Sequence, residues 1–424
     1  MKATFKNNQA LGPNPQDHVV CFLNFHTERR WRPWLLFFTV ILILSNLIGC
    51  RPLSQDLEAI DDEPRAVEDE PQAMDDQPPT LEYQPLATGD WRVSTPSEQG
   101  LDPALIADLY RNAAELSNLY GLLVVKDGYL ISEGYFNRGS IGQRAVLASV
   151  TKSYTSALVG IALDQGCLSS VDQRLMDFFP EFLGQIDDPR KRHIRIEDLL
   201  KMRSGYPWEE FTPPYLDRLV ASNNWLPFIV EFPLTSDPGT EFGYSNLTAH
   251  LLGVIVARAC GTGLLSYAQL NLFSPIDARV GTWPHDANNY YYGSGDISFT
   301  ARDVAKFGLL YLNDGQYEGK QVISADWVND SLQTYSHDIY NNKLGRYFRD
   351  IGYGYLWWSA RAGDHHFNYA WGHGGNLVIL LRDLDMIIVT TADPLHGVWG
   401  EAAWEKEGAV IDLVGKFIRS IPGG

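Results

Sequence analysis

Residues 145–152 read Ala-Val-Leu-Ala-Ser-Val-Thr-Lys, and they pass from an extended segment into a helix predicted over 149–165. Residues three apart on a helix share one face, so the Ser149 hydroxyl and the Lys152 amine can meet. The unpaired N–H groups of a helix N-terminus favour an oxyanion and disfavour a protonated amine. A serine hydroxyl needs a base to act as a nucleophile, and a lysine with a depressed pKa can be that base. The pattern therefore predicts a nucleophile beside its base; the alternative is a capping serine followed by a surface lysine.

Two later motifs add polar groups to this pair. Tyr244 and Asn246 follow a Pro-Gly turn at 238–239, and they precede a helix predicted over 247–259. Residues 371–376 read Trp-Gly-His-Gly-Gly-Asn and enter a predicted strand, where glycines let a ligand or another backbone approach closely. A free N–H there is able to form an oxyanion hole together with the N–H of the serine. Taken alone, the first motif also fits a loop tyrosine packed on the core, and the second a glycine-rich hairpin turn.

The remaining pattern predicts a sheet built from both ends of the folded region. An Asp-Gly turn at 127–128 joins two strand-like segments in a hairpin, helical signals run from 171 to about 281, and a closing helix is predicted over 399–419. Three further strands are predicted at 353–359, 376–382 and 385–392. The predicted fold is therefore α+β: an α/β sandwich in which an antiparallel sheet is flanked by helices. Because its strands come from both ends, the helical block is predicted to be an all-helical subdomain inserted at about 171–289, with the active site in the cleft.

The charge of the chain excludes nucleic acid as a partner. The 424 residues carry a formal net charge of −18, whereas a nucleic-acid-binding protein needs a basic face to displace counterions.

No zinc-binding spacing joins the four cysteines, which are Cys21, Cys50, Cys167 and Cys260. The last two are interpreted as buried thiols, and the alternative is a disulfide formed in an oxidising compartment.

The N-terminus has the features of an export signal. Arginines at 29, 30 and 32 precede an uncharged run at 34–48, which is shorter than the about 20 residues that span a bilayer and fits a signal peptide. The run ends in Leu-Ile-Gly before Cys50, which resembles the lipobox of bacterial lipoproteins and predicts a signal peptide at 1–50 with lipidation of Cys50. Residues 51–90 are acidic and predict a disordered linker. The expected protein is an exported, membrane-anchored bacterial lipoprotein, periplasmic or on the cell surface; the alternative is an uncleaved signal anchor.

Taken together, the three motifs resemble the serine β-lactamase and penicillin-binding-protein-like superfamily. They are most similar to its class C-like branch of class C β-lactamases, family VIII carboxylesterases and 6-aminohexanoate-dimer hydrolases. Two further stretches, 196–205 and 300–315, agree with it, and the resemblance covers 91–424 as one β-lactamase/transpeptidase-like domain.

The resemblance implies a role for each residue of the motifs. Ser149 corresponds to the acylated nucleophile, Lys152 and Tyr244 share the roles of general base and proton relay, and Asn246 helps to hold the lysine and the substrate. The glycine-rich stretch at 371–376 lies where the family has a Lys-Thr-Gly strand. That substrate-binding strand here comprises His373, Gly374, Gly375 and Asn376, and the Asn376 N–H would be the second oxyanion donor.

One position departs from the family pattern. A lysine there offers a fixed cation to a substrate carboxylate, whereas a histidine such as His373 is expected to be largely neutral at about pH 7. This difference favours an esterase or amidase that acts on a neutral small molecule through an acyl-enzyme. The alternatives are a β-lactamase or DD-peptidase acting on lactams or cell-wall peptides, and a non-catalytic lipoprotein that only binds its ligand.

No metal or cofactor is expected for this chemistry. The pair His365-His366 is interpreted as an exposed loop pair, because no acidic ligand pattern accompanies it. The sequence indicates nothing about the oligomeric state.

Overall fold

The computed structural model describes residues 83–395 and 400–423. The predicted signal peptide, its lipidation site Cys50 and the linker up to residue 82 lie outside the described residues, so export and lipidation stay predictions. The strands are β1 Leu119–Lys126, β2 Tyr129–Tyr135, β3 Arg144–Val146, β4 Ser298–Thr300, β5 Gln316–Tyr317, β6 Lys320–Gln321, β7 Lys343–Leu344, β8 Phe348–Tyr353, β9 Trp358–Ala362, β10 His365–Gly372, β11 Asn376–Leu381 and β12 Met386–Ala392. The α-helices are α1 Pro103–Ala113, α2 Thr151–Asp164, α3 Ile196–Leu200, α4 Tyr215–Ala221, α5 Phe228–Glu231, α6 Asn246–Ala259, α7 Leu264–Ala268, α8 Ala301–Leu312, α9 Ala325–Leu332 and α10 Glu401–Ser420.

The main sheet joins the two ends of the folded region, as predicted. Its strand order is β2-β1-β12-β11-β10-β9-β8-β7, and every neighbouring pair in it is antiparallel. The first strand pairs with the last, with Leu123 opposite Val389 and Val124 opposite Ile388. The predicted α+β fold with an antiparallel sheet and helices is therefore confirmed.

Helices cover the central strands of this sheet. All residues of β11 and β12 are buried, which an antiparallel strand reaches only when both faces are covered. The α8 helix packs on β1, β11 and β12, while α1 and α10 pack against each other and against β1 and β9 respectively. Gly308 of α8 lies so close to Ile387 that an added Cβ would be 2.9 Å from its side chain. This packing places the start of α2 beside the end of β10.

Two sequence predictions about this sheet are wrong. Residues 353–359 do not form one strand, because a turn at 354–357 with Leu356 at φ +59° separates β8 from β9. Strand β10 was not predicted, since His365, His366 and Asn368 resemble a polar loop in the sequence. His365 is in fact buried in that strand, and its Nε2 lies 2.9 Å from the carbonyl oxygen of Ile421. The prediction of an exposed histidine pair therefore fails for His365.

The region between β3 and β4 contains the helical block. All the named secondary-structure elements between residues 171 and 289 are helices. The boundaries of the inserted subdomain stay a prediction. Cys167 follows α2 and Cys260 ends α6, and both are free thiols that hydrogen bond to each other.

In the part of the chain that the structure describes, no single helix is long and apolar enough to cross a membrane. The bent pair Asn246–Ala259 and Leu264–Phe273 meets that test only in combination, at an angle of 78°.

The folded domain begins earlier than the predicted boundary at residue 91. The ring of Tyr83 packs 5.0 Å from that of Tyr110 in α1. The guanidinium of Arg302 donates to the carbonyl oxygen of Leu86 at 2.8 Å and pairs with Asp90. Tyr83, Leu86 and Asp90, which fall in the predicted linker, therefore pack on the domain.

Candidate active site

Ser149 lies on a short turn that leads into α2. The turn Ala148–Val150 is a 3-10 helix, so α2 begins at Thr151 rather than at Ser149. Ala148 has φ +46°, a strained backbone conformation for a residue with a side chain that is common at functional sites. The Thr151 hydroxyl donates to the Ala148 carbonyl at 2.6 Å and accepts from the Ile297 N–H at 3.1 Å. These bonds hold the turn and leave Ser149 half-buried at the edge of a pocket.

Lys152 lies one helical turn away from Ser149, as predicted, and it is buried. Its Nζ is 2.9 Å from Ser149 Oγ, 2.8 Å from Asn246 Oδ1 and 2.8 Å from the Ser294 carbonyl oxygen. A neutral amine has two N–H donors and one lone pair, which match two carbonyl-type acceptors and one hydroxyl donor. Burial lowers the pKa of Lys152 to about 8, although the negative charge of Glu210 opposes the shift. This environment makes the neutral, basic form accessible.

Tyr244 completes the group around the serine. Its ring centroid lies 4.7 Å from Lys152 Nζ, its ring stacks on Trp358 at 5.5 Å, and its hydroxyl is close enough to Ser149 for that side chain to oppose the rise of its pKa. Burial raises the pKa of Tyr244 well above its usual value. The tyrosine is therefore a protonated phenol at neutral pH, suited to pass a proton rather than to take the first one.

Glu209 holds the helix that carries Asn246, and the sequence did not point to it. This buried carboxylate accepts from the Ser245 hydroxyl at 2.7 Å, the Asn246 N–H at 2.8 Å and the Leu247 N–H at 3.1 Å. It therefore satisfies the free N–H groups at the start of α6. Burial raises the pKa of Glu209 to about 7.

Glycines bring the end of β10 against the serine turn. A Cβ on Gly372 would lie 2.1 Å from the Leu147 carbonyl oxygen, so only glycine permits this approach. Gly374 and Gly375 have φ +85° and +93°, and a Cβ at either position would collide with Pro394 or Val410. The glycines of 371–376 thus set the position of His373 by close packing.

Asn376 occupies a different place from the pocket residues. Its side chain is fully buried, and its Nδ2 donates to the His373 carbonyl at 2.9 Å while its Oδ1 accepts from the Ala392 N–H at 3.0 Å. The side chain therefore links the turn at residues 373–375 to the end of β12 by hydrogen bonds. The role of its backbone N–H as an oxyanion donor stays a prediction.

Glu407 changes the expected charge of His373. His373 Nδ1 lies 2.6 Å from Glu407 Oε2, and the same carboxylate accepts from Trp371 Nε1 and the Gly374 N–H, each at 2.7 Å. The hydrogen bond to Glu407 raises the pKa of His373. The Glu407 carboxylate therefore favours the protonated imidazole, an effect that sequence analysis did not predict. The sequence held a signal for it, since Glu407 shares the apolar face of α10 with Ala403, Val410 and Val414.

We expect Glu407→Gln to lower the pKa of His373 toward the ordinary histidine value. The amide cannot supply the negative charge that stabilises the imidazolium, so the ring loses its proton at a lower pH. NMR titration of the His373 ring protons measures the change. Glu405→Gln, at an exposed position of the same helix, is the control and should leave the titration unchanged. An unaltered His373 titration in Glu407→Gln would contradict this assignment.

These groups surround one pocket with a cavity volume of about 290 Å³. Ser149 and His373 line it, together with Glu210, Leu216 and Glu407. Six aromatic side chains form most of its walls: Phe211, Tyr244, Tyr340, Trp358, Trp371 and Trp404. Within residues 83–395 and 400–423, no group of three or more His, Cys, Asp or Glu side chains is placed to hold a metal ion. The pocket therefore offers the Ser149 hydroxyl, the Tyr244 phenol and an apolar wall, and the Lys152 amine lies buried behind the serine.

An antiparallel sheet flanked by helices, with a serine and a lysine at the start of a buried helix, defines the β-lactamase/transpeptidase-like class of serine hydrolase-like proteins. The sequence model of the beta-lactamase family matches residues 115–404, and the chain belongs to this family.

Three relatives illustrate the similarity. The 6-aminohexanoate-dimer hydrolase of Paenarthrobacter ureafaciens is 25% identical over 287 residues, which are 64% of this chain and 72% of that protein. The chain spans only about a third to two fifths of several other curated relatives. The structure of a putative 6-aminohexanoate-dimer hydrolase from Bacillus anthracis superposes with a TM-score of 0.58 at 20% identity, covering 74% of this chain and 83% of that one. EstCE1, a hydrolase with promiscuous acyltransferase activity, gives 0.57 at 17% identity over 73% and 98%. The two structures share the fold with this chain.

Proposed function

We propose that this chain hydrolyses an ester or amide bond through an acyl-enzyme on Ser149. The observation that carries the proposal is the position of Lys152, whose amine lies 2.9 Å from Ser149 Oγ and has a pKa lowered to about 8. A nucleophile and a base at hydrogen-bond distance, with the base held by further partners, are the requirements for nucleophilic catalysis. The sequence relationship to a 6-aminohexanoate-dimer hydrolase supports a hydrolase of this kind.

The pKa of Lys152 is lowered and that of Tyr244 is raised, so we assign the two side chains different proton-transfer steps. Neutral Lys152 takes the proton of the Ser149 hydroxyl while Oγ forms its bond to the substrate carbonyl carbon. The protonated lysine returns that proton through the Tyr244 phenol to the leaving oxygen or nitrogen as its bond to the carbonyl carbon breaks. Water then attacks the acyl-enzyme by the reverse sequence of proton transfers, which releases the acid and restores Ser149.

The walls of the pocket suit a substrate with an apolar acyl or leaving group. The six aromatic side chains can bury such a group, while Ser149 lies at their edge. A β-lactamase or DD-peptidase needs a fixed cation for the substrate carboxylate, whereas the ring that stands at this position, His373, lies 2.6 Å from the Glu407 carboxylate. We therefore propose an esterase or amidase in preference to either of these enzymes.

Covalent trapping tests the proposal. The full chain is mixed with p-nitrophenyl acetate, nitrophenol release is followed, and the early-quenched protein is mapped by mass. We expect an acyl group on Ser149 and a burst of nitrophenol that disappears in Ser149→Ala and persists in Ser140→Ala, at an exposed serine outside the pocket. Acylation at another residue, or a burst that survives Ser149→Ala, would sink the mechanism. Ligand binding with no acylation would instead favour a non-catalytic lipoprotein, and rapid turnover of a chromogenic cephalosporin a β-lactamase.

A further inference from the structure

Glu210 places an unpaired negative charge at the pocket. It lies in the 3-10 turn Glu209–Phe211, its side chain is exposed, and it lines the cavity beside Ser149. Among the residues that the structure describes, no hydrogen bond or ion pair to its carboxylate is found. Its negative charge nevertheless favours the protonated forms of Lys152, Tyr244 and His373, and so acts to raise each pKa, although burial lowers the pKa of Lys152 overall. The carboxylate is therefore close to the reacting groups and free to meet a ligand.

The other charged groups around the pocket do not neutralise Glu210. In the described part of the chain, no lysine or arginine lines the cavity. His373 lies against Glu407, so any positive charge on its ring faces a carboxylate. Lys152 is buried behind Ser149, and Glu209 and Asp296 also act on it as negative charges. The field inside the cavity is consequently negative toward a bound ligand.

The walls of the cavity suit a cation as well as an apolar group. Aromatic faces attract ammonium groups, and the attraction grows when the cation leaves water. Phe211 adjoins Glu210 in the same turn, and Tyr340 packs near it with ring centroids 6.4 Å apart. Tyr340 also stacks on Trp358 at 5.9 Å. A carboxylate at the rim of such a wall is an arrangement that recognises an ammonium ion.

We propose that the preferred substrates carry a positively charged amino or quaternary ammonium group close to the scissile ester or amide bond, bound by Glu210 and the aromatic wall. This inference rests on the proposed acyl-transfer function and names its substrate class. It makes Glu210 a specificity-determining residue, which acts on substrate binding and takes no part in the chemical step.

Pairs of substrates with the same shape and different charge test the proposal. The first pair places the charge on the leaving group: acetylcholine and 3,3-dimethylbutyl acetate, followed by acid release. The second places it on the acyl group: the p-nitrophenyl esters of 4-(trimethylammonio)butanoate and 5,5-dimethylhexanoate. In each pair a quaternary nitrogen replaces a quaternary carbon, so apolar burial is matched and charge alone differs.

We expect the full-length enzyme to prefer the cation in at least one pair by about tenfold in kcat/KM, the scale of one cation–π or exposed ionic contact. The pair that shows the preference identifies which side of the scissile bond faces Glu210. In Glu210→Gln the ratio of the two kcat/KM values should fall toward one through a higher KM of the cationic member, because ground-state binding is lost, whereas any change in the pKa of Lys152 acts on both members alike. Glu318→Gln removes the same charge from an exposed turn outside the cavity and should retain the preference. Added salt should weaken the preference, as it screens an exposed carboxylate.

Two results would overturn the inference. One is equal turnover of both members of both pairs by the wild-type enzyme, with Ser149 still acylated; the other is a cation preference that survives Glu210→Gln. Either leaves the acyl-transfer function intact, because the neutral esters still label Ser149. Failure of every ester to label Ser149 would instead remove the proposed function itself, and with it this inference.

Discussion

Replacing Lys152 by methionine is expected to lower kcat/KM for ester hydrolysis by about 10²–10⁴-fold, the range over which a positioned general base acts. Methionine keeps most of the buried volume and removes the amine that lies 2.9 Å from Ser149 Oγ. Because the loss concerns the chemical step, kcat should fall with kcat/KM while KM changes little. Steady-state kinetics with a p-nitrophenyl ester measure it.

A second buried lysine provides the matched control for this substitution. Lys191 is also buried, and its Nζ donates to the Val230 carbonyl at 2.6 Å, but it does not line the pocket. Lys191→Met should leave kcat/KM close to the wild-type value. Circular dichroism checks that both variants fold. If a folded Lys152→Met enzyme retained full activity, Lys152 would not be the base.

The pH dependence of the wild-type enzyme should report the same amine. Burial lowers the pKa of Lys152 to about 8, and only the neutral form accepts a proton. Activity should therefore be low below this pKa and rise through it, giving an acid limb of kcat/KM near pH 8. The limb should be absent from the residual activity of Lys152→Met.

Replacing Glu209 by alanine is expected to reduce the free energy of unfolding by about 3 kcal/mol, since buried donors left without an acceptor cost about 1–3 kcal/mol each. The donors are the Ser245 hydroxyl and the N–H groups of Asn246 and Leu247. Removing a carboxylate whose burial is itself unfavourable offsets part of that cost. Urea denaturation measures the change.

Glu209→Gln is the companion variant for this prediction. The amide keeps one acceptor oxygen in nearly the same shape, so its loss of stability should be smaller than that of alanine. Activity should fall in the alanine variant as well, because Glu209 holds the start of α6 and thereby Asn246, which bonds Lys152. Equal stability of the wild-type and alanine proteins would show that water satisfies these donors.

The serine and lysine that we propose as nucleophile and base could be recognised from the sequence because their proximity is local. Two residues three apart on one helical turn meet whatever the rest of the chain does, and Ser149 and Lys152 lie together as expected. Tyr244 and Asn246 are distant from this pair in sequence. A Pro-Gly turn before a helix marked them as candidates, and their roles came only from the resemblance to a known family. The structure places both of them beside the same amine.

The acidic residues of the site escaped sequence analysis because their function depends on which element packs beside them. Glu209 and Glu210 are neighbours in the chain, yet one caps α6 and the other lines the cavity. Glu407 comes from the last helix and raises the pKa of His373. Strand β10 was missed for a similar reason, because His365 is buried by a distant C-terminal segment that accepts its hydrogen bond.

By itself, the sequence determined the α+β fold class, a sheet built from strands at both ends of the folded region, and the proximity of the serine and the lysine. These features follow from hydrophobic periodicity and from contacts within one helical turn, which act over short stretches of chain. Only the tertiary structure decided the protonation of the site: the depressed pKa of Lys152, the raised pKa of His373 and the unpaired charge of Glu210. Those properties arise from burial and from charges brought together across hundreds of residues, and electrostatic free energies depend on distance and solvent exposure rather than on position in the chain.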